Sequence, residues 1–217
     1  MTAFFPWAEH DSPSLLDATA RIYGVVTAVV TDNKDPDGLG RVKLRFPWLA
    51  DEDESAWAPV ASPMAGNERG IWFLPEVEDE VLVAFLHGDL RQPFVLGALW
   101  NGKDKPPETN SDGNNDIRLI KTRSGHIVRF TDKDGSEKIE VIDKGGKNSI
   151  VIDTSGDTVT ITSGKDVVID ASSGKLTLKA QDVEIKASAS GKFETGSSMD
   201  LKASGQANLK GATVNIN

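Results

Sequence analysis

SIVIDTSGDTVTITSGKDVVIDASSGKLTLKAQDVEIKA, at Ser149–Ala187, repeats a short apolar–polar–apolar triplet about every eight residues. The apolar side chains of a triplet are two positions apart, which is the period of a β-strand. Gly, Ser, Asp, Asn and Lys fill the intervals, and each interval is too short for a repeat that contains a helix. A regular short repeat of this kind is typical of a solenoid or β-helix.

The repeat continues beyond this stretch to Asn217. We predict that its inward-facing side chains form the core of a needle and the contacts between chains: Ile150, Ile152, Val159, Ile161, Val167, Ile169, Leu176, Leu178, Val183, Ile185, Met199, Leu201, Leu209, Val214 and Ile216. Three earlier pairs show the same pattern with longer connections: Ile117/Leu119, Val128/Phe130 and Ile139/Val141.

A single chain cannot bury these repeats well. Each repeat offers two core-facing side chains, about 2–5 kcal/mol of burial, against a cost of about 1.5 kcal/mol for each ordered residue. Several chains wound about one axis can share the narrow interior, with each strand pairing with a neighbouring chain. An intertwined homotrimer is the simplest such closure, because it leaves no open strand edges along its length.

The first half has another composition. All ten Pro lie between Pro6 and Pro107, and all five Trp lie at or before Trp100. Six segments rich in β-branched and aromatic residues are predicted to be strands, with turn signals between them: Arg21–Thr31, Arg41–Phe46, Trp57–Ala61, Gly70–Leu74, Glu80–Leu86 and Pro93–Leu99. The sequence therefore predicts a small antiparallel barrel or sandwich, and an all-β fold throughout.

Composition excludes several classes of function. The net charge of −9 disfavours binding to nucleic acid or an anionic membrane surface. Without cysteine and with three scattered histidines, the sequence predicts no metal site, no cofactor and no catalytic residues. No apolar run reaches the roughly 20 residues of a membrane span, and the N-terminus does not read as a secretory signal.

Three stretches carry a family resemblance: GVVTAVVTDNKDPDGLGRVKLRFPWL at Gly24–Leu49, ESAWAPVASPMAGNERGIWFLPEVEDEVLVAF at Glu54–Phe85 and HGDLRQPFVLGALWNG at His87–Gly102. They resemble the baseplate assembly protein V family, the central spike proteins of contractile phage tails, which are related to type VI secretion spikes. The resemblance implies an oligonucleotide/oligosaccharide-binding (OB) barrel followed by a trimeric β-helical needle. The expected division is an N-terminal segment (1–20), an OB-type barrel (21–100), a linker (101–116) and a spike (117–217).

The resemblance also implies a function and partners. The expected role is a passive needle that pierces the target cell envelope when a sheath contracts, with a tail hub protein at the barrel end. Some relatives carry a lysozyme domain or an iron-binding histidine apex, and this sequence shows neither. A separate conical tip protein of the PAAR type is therefore expected at Val214, Asn215, Ile216 and Asn217. The expected location is a virion tail baseplate or an extracellular contractile particle, assembled in the host cytoplasm.

Other interpretations stay open beside these. Asp35-Pro36-Asp37-Gly38 and Asp132–Glu137 favour turns over calcium loops, and the acidic clusters Asp51–Glu54 and Glu76–Glu80 favour solvated segments over catalytic carboxylates. Arg41, Lys43 and Arg45 alternate on one strand, as a solvent or subunit face or, less favoured, a groove for nucleic acid. The Trp side chains are expected in the core or at a contact between barrels. A nucleic-acid-binding barrel and the spike of a non-phage contractile system are the alternative functions.

Overall fold

The computed structural model describes residues 21–49 and 54–215, which divide into two compact units after Gly164. The first unit begins with seven strands: β1 (Val26–Asp32), β2 (Arg41–Arg45), β3 (Ala58–Pro59), β4 (Ala65–Gly66), β5 (Arg69–Gly70), β6 (Glu80–Phe85) and β7 (Pro93–Ala98). A short 3-10 turn, Leu86–Gly88, follows β6. Five of the predicted strands are thus present, each shorter than predicted, and the first ends one residue later, at Asp32.

Five of these strands form a barrel-like sheet. They lie in the order β3-β2-β1-β6-β7, and each pair of neighbours is antiparallel. The two outer strands meet through a parallel bridge between Val60 and Val95. The Ala61 N–H donates a hydrogen bond to the Val95 carbonyl oxygen at 2.8 Å. The sheet is therefore nearly closed, which satisfies the backbone groups that an open edge would expose.

The barrel core consists of side chains that alternate along the strands. The fully or almost fully buried apolar residues are Ala28, Val30, Val42, Leu44, Phe46, Ala58, Val81, Val83, Phe85 and Val95. The rings of Phe46 and Phe85 pack with their centroids 5.6 Å apart. Because successive side chains of a strand point to opposite faces, the period-2 pattern of the sequence is enough to select this inner set.

The predicted strand Gly70–Leu74 is wrong beyond its first residue. Only Arg69–Gly70 pairs, with Ala65–Gly66, in a two-residue hairpin. The Ile71 N–H donates to the Met64 carbonyl oxygen at 3.0 Å, and the Ile71 carbonyl accepts from the Ser62 hydroxyl at 2.8 Å. Since β3 and β7 already close the barrel, no sheet edge remains for an additional strand, and the aromatic run lies in a loop.

A second sheet occupies the rest of the first unit. It contains β8 (Ile117–Lys121), β9 (Ile127–Thr131), β10 (Lys138–Ile142), β11 (Ser149–Asp153) and β12 (Thr158–Thr162), in sequential antiparallel order. This sheet is called the meander below. The sequence predicts pairing with neighbouring chains for these strands, whereas the structure pairs them within one chain. Gly135 and Gly146, at φ of 71° and 66°, supply the left-handed conformations that let the strands turn back.

The second unit follows Gly164 and carries the later repeats. No strand is formed in the described part of this unit, residues 165–215. All of these residues are exposed in the single chain. The needle predicted for this region, with strands paired between chains, stays a prediction.

Candidate assembly interface

The meander has one strongly apolar face. Register places Ile120, Val128, Val141, Ile150 and Ile161 in one row across the five strands. A second row on the same face contains Phe130, Ile139, Ile152 and Val159, with Arg118 at its β8 end. These nine apolar residues are called the meander face. Eight of them are 40–67 % exposed in the single chain. Contiguous exposed apolar patches of more than a few hundred Å² mark interaction surfaces.

The opposite face of the meander is mixed: it carries two ion pairs beside the apolar side chains of Ile117, Leu119, Ile127, Ile142 and Val151. The Arg129 guanidinium donates to the Glu140 carboxylate at 2.7 Å, and the Lys138 ammonium lies 3.5 Å from the Asp153 carboxylate. The bond to Glu140 raises the pKa of Arg129. The charges on this face are therefore neutralised between neighbouring strands.

The structure brings together the first four of the sequence-predicted core residues. Ile150 pairs with Ile161 and Ile152 pairs with Val159, so all four lie on the meander face. The prediction placed Ile117 and Leu119 in the same series, but both lie on the opposite face, in register with Thr131 and Arg129. In β8 it is instead Ile120 that faces the apolar row, because the β8–β9 turn pairs it with Val128.

The remaining predicted core residues lie in the second unit. They are exposed there and are not brought together by any strand: Val167, Ile169, Leu176, Leu178, Val183, Ile185, Met199, Leu201, Leu209 and Val214 are 46–84 % exposed. Ile216 lies outside the described residues, as does Asn217. Charged side chains between the apolar pairs compensate one another, as in Lys186 with Glu184 at 2.7 Å and Lys192 with Glu194 at 2.5 Å.

The β1–β2 turn holds a buried ion cluster. The Gly38 N–H donates to the Asp35 carbonyl oxygen at 3.1 Å, which confirms the predicted turn. The Asp35 side chain, 3 % exposed, accepts from Arg41 Nε at 2.9 Å and Nη2 at 2.7 Å and from three backbone N–H groups. The Arg41 bonds hold the pKa of Asp35 well below its usual range. Arg41 also bonds Asp37 at 2.6 Å.

This cluster corrects the predicted basic face of β2. Arg41 is buried and neutralised by Asp35 and Asp37, so it belongs to neither a solvent face nor a groove. Lys43 pairs with Glu54 at 3.1 Å and lies 5.7 Å from the centre of the Trp57 ring. A residue that alternates with core positions is expected outside, but here two aspartates in the preceding turn cover Arg41 at the end of the barrel.

Aromatic side chains of the barrel lie outside its core. Trp48, Trp72 and Trp100 are 46 %, 71 % and 70 % exposed, and Phe73 is 67 % exposed. For these Trp residues the predicted core position is wrong, and a contact with another molecule stays a prediction. Trp72 lies against the β1–β2 connection, where a β-carbon on Gly40 would come within 2.8 Å of its ring.

The acidic clusters are engaged in local bonds. Glu76 accepts from Arg123 at 2.7 Å, which joins the barrel to the β8–β9 turn, and Glu80 accepts from Asn101 at 2.8 Å. The Ser136 N–H donates to the Lys133 carbonyl oxygen at 2.9 Å, so the predicted Asp132–Glu137 hairpin connection is confirmed. Asp51–Asp53 lie outside the described residues. Within residues 21–49 and 54–215, no group of three or more His, Asp or Glu side chains is arranged to hold a metal ion.

Comparison with known proteins identifies the barrel. Residues 26–100 match the family model of the injector OB domain found in type VI secretion systems and phage baseplates. Over these residues the barrel is similar to that injector OB domain. The resemblance drawn from Gly24–Gly102 is thereby confirmed, and so is the all-β fold with an OB-type barrel. Where the structure describes the chain, it contains no helix of the length and apolarity that crossing a membrane requires.

Curated proteins similar to this chain include type VI secretion spike proteins. The spike protein VgrG5 of Pseudomonas aeruginosa is 36% identical over 150 residues, which are 63% of this chain and 19% of that protein. VgrG4b of the same organism is 35% identical over 161 residues, covering 62% and 20%. VgrG3 of Vibrio cholerae is 35% identical over 111 residues, covering 48% and 11%. The chain spans a fifth or less of the length of these three relatives.

Proposed function

We propose that this protein is the central spike of a contractile injection machine, in which three copies form one needle. The barrel is similar to the injector OB domain, and a long series of apolar repeats follows it. Its relatives carry the name of spike proteins. The role proposed for this protein is likewise structural, without catalysis.

The observation that carries the proposal is the exposure of the repeats. The ten predicted core side chains from Val167 to Val214 are exposed in the single chain, without a strand to order them. Folding such segments needs partners that share the apolar interior, since two side chains for each repeat do not offset the entropy of ordering eight residues. Two further copies supply those partners, with the predicted residues from Ile150 to Ile216 facing the common axis.

The mechanism proposed is mechanical. Contraction of a sheath drives a narrow rod against the target envelope, and hydrogen bonds between the three chains resist bending and unwinding. The proposed location is a virion tail baseplate or an extracellular contractile particle assembled in the host cytoplasm. The alternative is that the protein is the spike of a non-phage, type VI-like contractile system.

Partners are proposed at both ends. A tail hub protein binds the barrel end, where exposed aromatic side chains such as Trp72 and Phe73 are available for contact. A separate conical tip protein of the PAAR type binds at Val214 to Asn217, of which Val214 and Asn215 are exposed. Nucleic acid is not a proposed partner, since Arg41 and Lys43 are already paired with carboxylates.

The mass of the purified protein in solution tests the proposal. Light scattering of the full chain should give three times 23.3 kDa at micromolar concentration. The trimer should also persist in mild detergent, because its apolar interior is enclosed by three chains. A folded monomer under these conditions contradicts the proposal.

A further inference from the structure

The outer face of β6 and β7 is apolar. β6 has one polar residue, Glu80, at its first position, and β7 has none. β2 differs, because charged side chains alternate there with core positions. Strands that are apolar at nearly every position are typical of sheets that are covered on both faces. The barrel core covers the inner face of β6 and β7, so the outer face needs a second apolar surface.

A groove of about 430 Å³ lies on this outer face. Ala84 of β6 and Phe94 of β7 are opposite each other in the strand ladder, and Leu96 is 47 % exposed. Apart from His87, which belongs to the turn after β6, the residues that line the groove are apolar. Such a lining suits apolar and aromatic side chains.

Residues 1–20 are joined to the barrel beside this groove. Arg21 Nη1 donates to the His87 carbonyl oxygen at 2.7 Å, and the Ile22 N–H donates to the Gly88 carbonyl oxygen at 3.0 Å. A β-carbon on Gly88 would come within 3.1 Å of the Arg21 β-carbon, so the chain and the turn pass close together. Because Arg21 bonds a residue that lines the groove, the segment before Arg21 starts at the groove.

We propose that residues 1–20 bind this groove on the barrel of their own chain, with the aromatic side chains of Phe4–Trp7 against the outer face of β6 and β7. These residues lie outside the described part of the chain, and their sequence places three aromatic side chains within four positions. Trp7 is 14 positions before Arg21, a length of chain that spans up to about 45 Å when extended. A strand of six residues is about 20 Å long, so Phe4–Trp7 can reach the whole groove.

The covalent connection favours the barrel of the same chain. A short tether holds Phe4–Trp7 near the groove at an effective concentration on the order of mM. The barrel of another copy offers the same groove, but the residues 1–20 of that copy are already tethered beside it. Because this contact lies within one chain, it forms with or without the proposed trimer.

A photo-crosslink in the full-length protein tests the contact. Leu96 is replaced by the photoreactive residue p-benzoylphenylalanine, and mass spectrometry identifies the linked peptide after irradiation. We expect a link to a peptide that contains Phe4–Trp7, in a product that keeps the mass of one chain, 23.3 kDa, on a denaturing gel. The matched control is the same replacement at Val77, which is 45 % exposed and lies before β6, at the other end of that strand from His87. It should give no link to residues 1–20.

Three results of this experiment would overturn the proposal. A link from Leu96 to a second chain assigns the groove to another copy. The absence of any link from Leu96 to residues 1–20 places the segment elsewhere. Equal linking from Leu96 and from Val77 shows a contact that is not specific to the groove.

Chymotrypsin provides a second test of the same contact. This protease cleaves after aromatic side chains, and burial in the groove protects Phe4, Phe5 and Trp7. Leu96→Asp should speed cleavage at these sites by about tenfold or more, since it places a charge among apolar side chains, whereas Val77→Asp should leave the rate unchanged. Equal cleavage rates in the unmodified protein and in Leu96→Asp contradict the proposal. Should Leu96→Asp unfold the barrel, the photo-crosslink decides the question.

Discussion

The ion cluster of the β1–β2 turn gives the sharpest stability test of the barrel. The change is Asp35→Asn, which keeps the shape of the side chain and removes its charge. Asp35 accepts five hydrogen bonds, two of them from the Arg41 guanidinium, and its side chain is 3 % exposed. An Asn amide nitrogen is a donor, so at least one of these donors would face another donor.

The expected loss of unfolding free energy depends on the partner that Arg41 keeps. Removing one partner of a buried ion pair costs about 3–5 kcal/mol, because the other charge is left uncompensated. Arg41 keeps Asp37 at 2.6 Å, which places the estimate at the lower end, about 3 kcal/mol. That is a large share of the roughly 5–15 kcal/mol by which domains are stable. The matched control is Asp37→Asn, whose carboxylate side chain is 67 % exposed and should contribute less than about 1 kcal/mol.

Urea unfolding followed by tryptophan fluorescence measures the effect. All five Trp lie in the first 100 residues, so the signal reports on the barrel half and not on the repeats. With a slope of about 1–3 kcal/mol per molar urea, a loss of 3 kcal/mol lowers the midpoint by about 1–3 M. If Asp35→Asn lowers the midpoint no more than Asp37→Asn does, the burial of this pair does not stabilise the barrel as argued.

Acid should remove the same contribution in the unmodified protein. The Arg41 bonds hold the pKa of folded Asp35 below its value in the unfolded chain, which is about 3.9. The stabilisation is therefore complete above the unfolded pKa and is lost as pH falls from there toward the folded pKa. The difference in unfolding free energy between the unmodified protein and Asp35→Asn should shrink between about pH 5 and pH 3. A constant difference across this range contradicts the assignment.

Three further predictions concern the needle. Ile161→Asp, on the meander face, should abolish the trimer because three unpaired carboxylates would be buried between the chains, whereas Thr160→Asp, on the other face, should leave its mass unchanged in light scattering; equal behaviour refutes the assignment of the faces. Electron microscopy should show a thin rod of about 30 Å for residues 165–217, since each repeat of about eight residues advances one strand spacing of about 4.8 Å; a globular second unit contradicts it. Deleting residues 213–217 should remove tip-protein binding in a pull-down and keep the trimer, and loss of the trimer would show a structural role instead.

Much of the barrel could be predicted because alternation and turn signals act locally. Val42 and Leu44 are buried where the pattern puts them, and the turn at Asp35 forms where Pro and Gly favour it. The loop after Gly70 could not be predicted the same way. Its apolar composition is that of a strand, and only the closure of the barrel by β3 and β7 denies it a partner.

The interface was predictable in part. The period of two identifies Ile150 and Ile152 as facing one side, but it cannot say whether the partner strand belongs to the same chain or to another. That depends on connections: β9 and β10 are joined by a turn that contains Gly135 in a left-handed conformation, which is a property of the backbone in three dimensions. Ile117 and Leu119 were assigned to the wrong face because the same pattern fits both phases of Ile117–Lys121, and register alone decides between them.

Dependence on other chains increases along the sequence. The barrel encloses its core, and side chains such as Val30 and Leu44 are completely buried. The meander completes its backbone hydrogen bonds within the chain but leaves the meander face about half exposed. Residues 165–215 form no strand and enclose no core in the single chain, and Leu201 is 84 % exposed. In the proposed trimer, the residues after Gly164 would therefore gain structure only together with other chains. The order of folding and association in the proposed spike is therefore set by how much each region can bury alone.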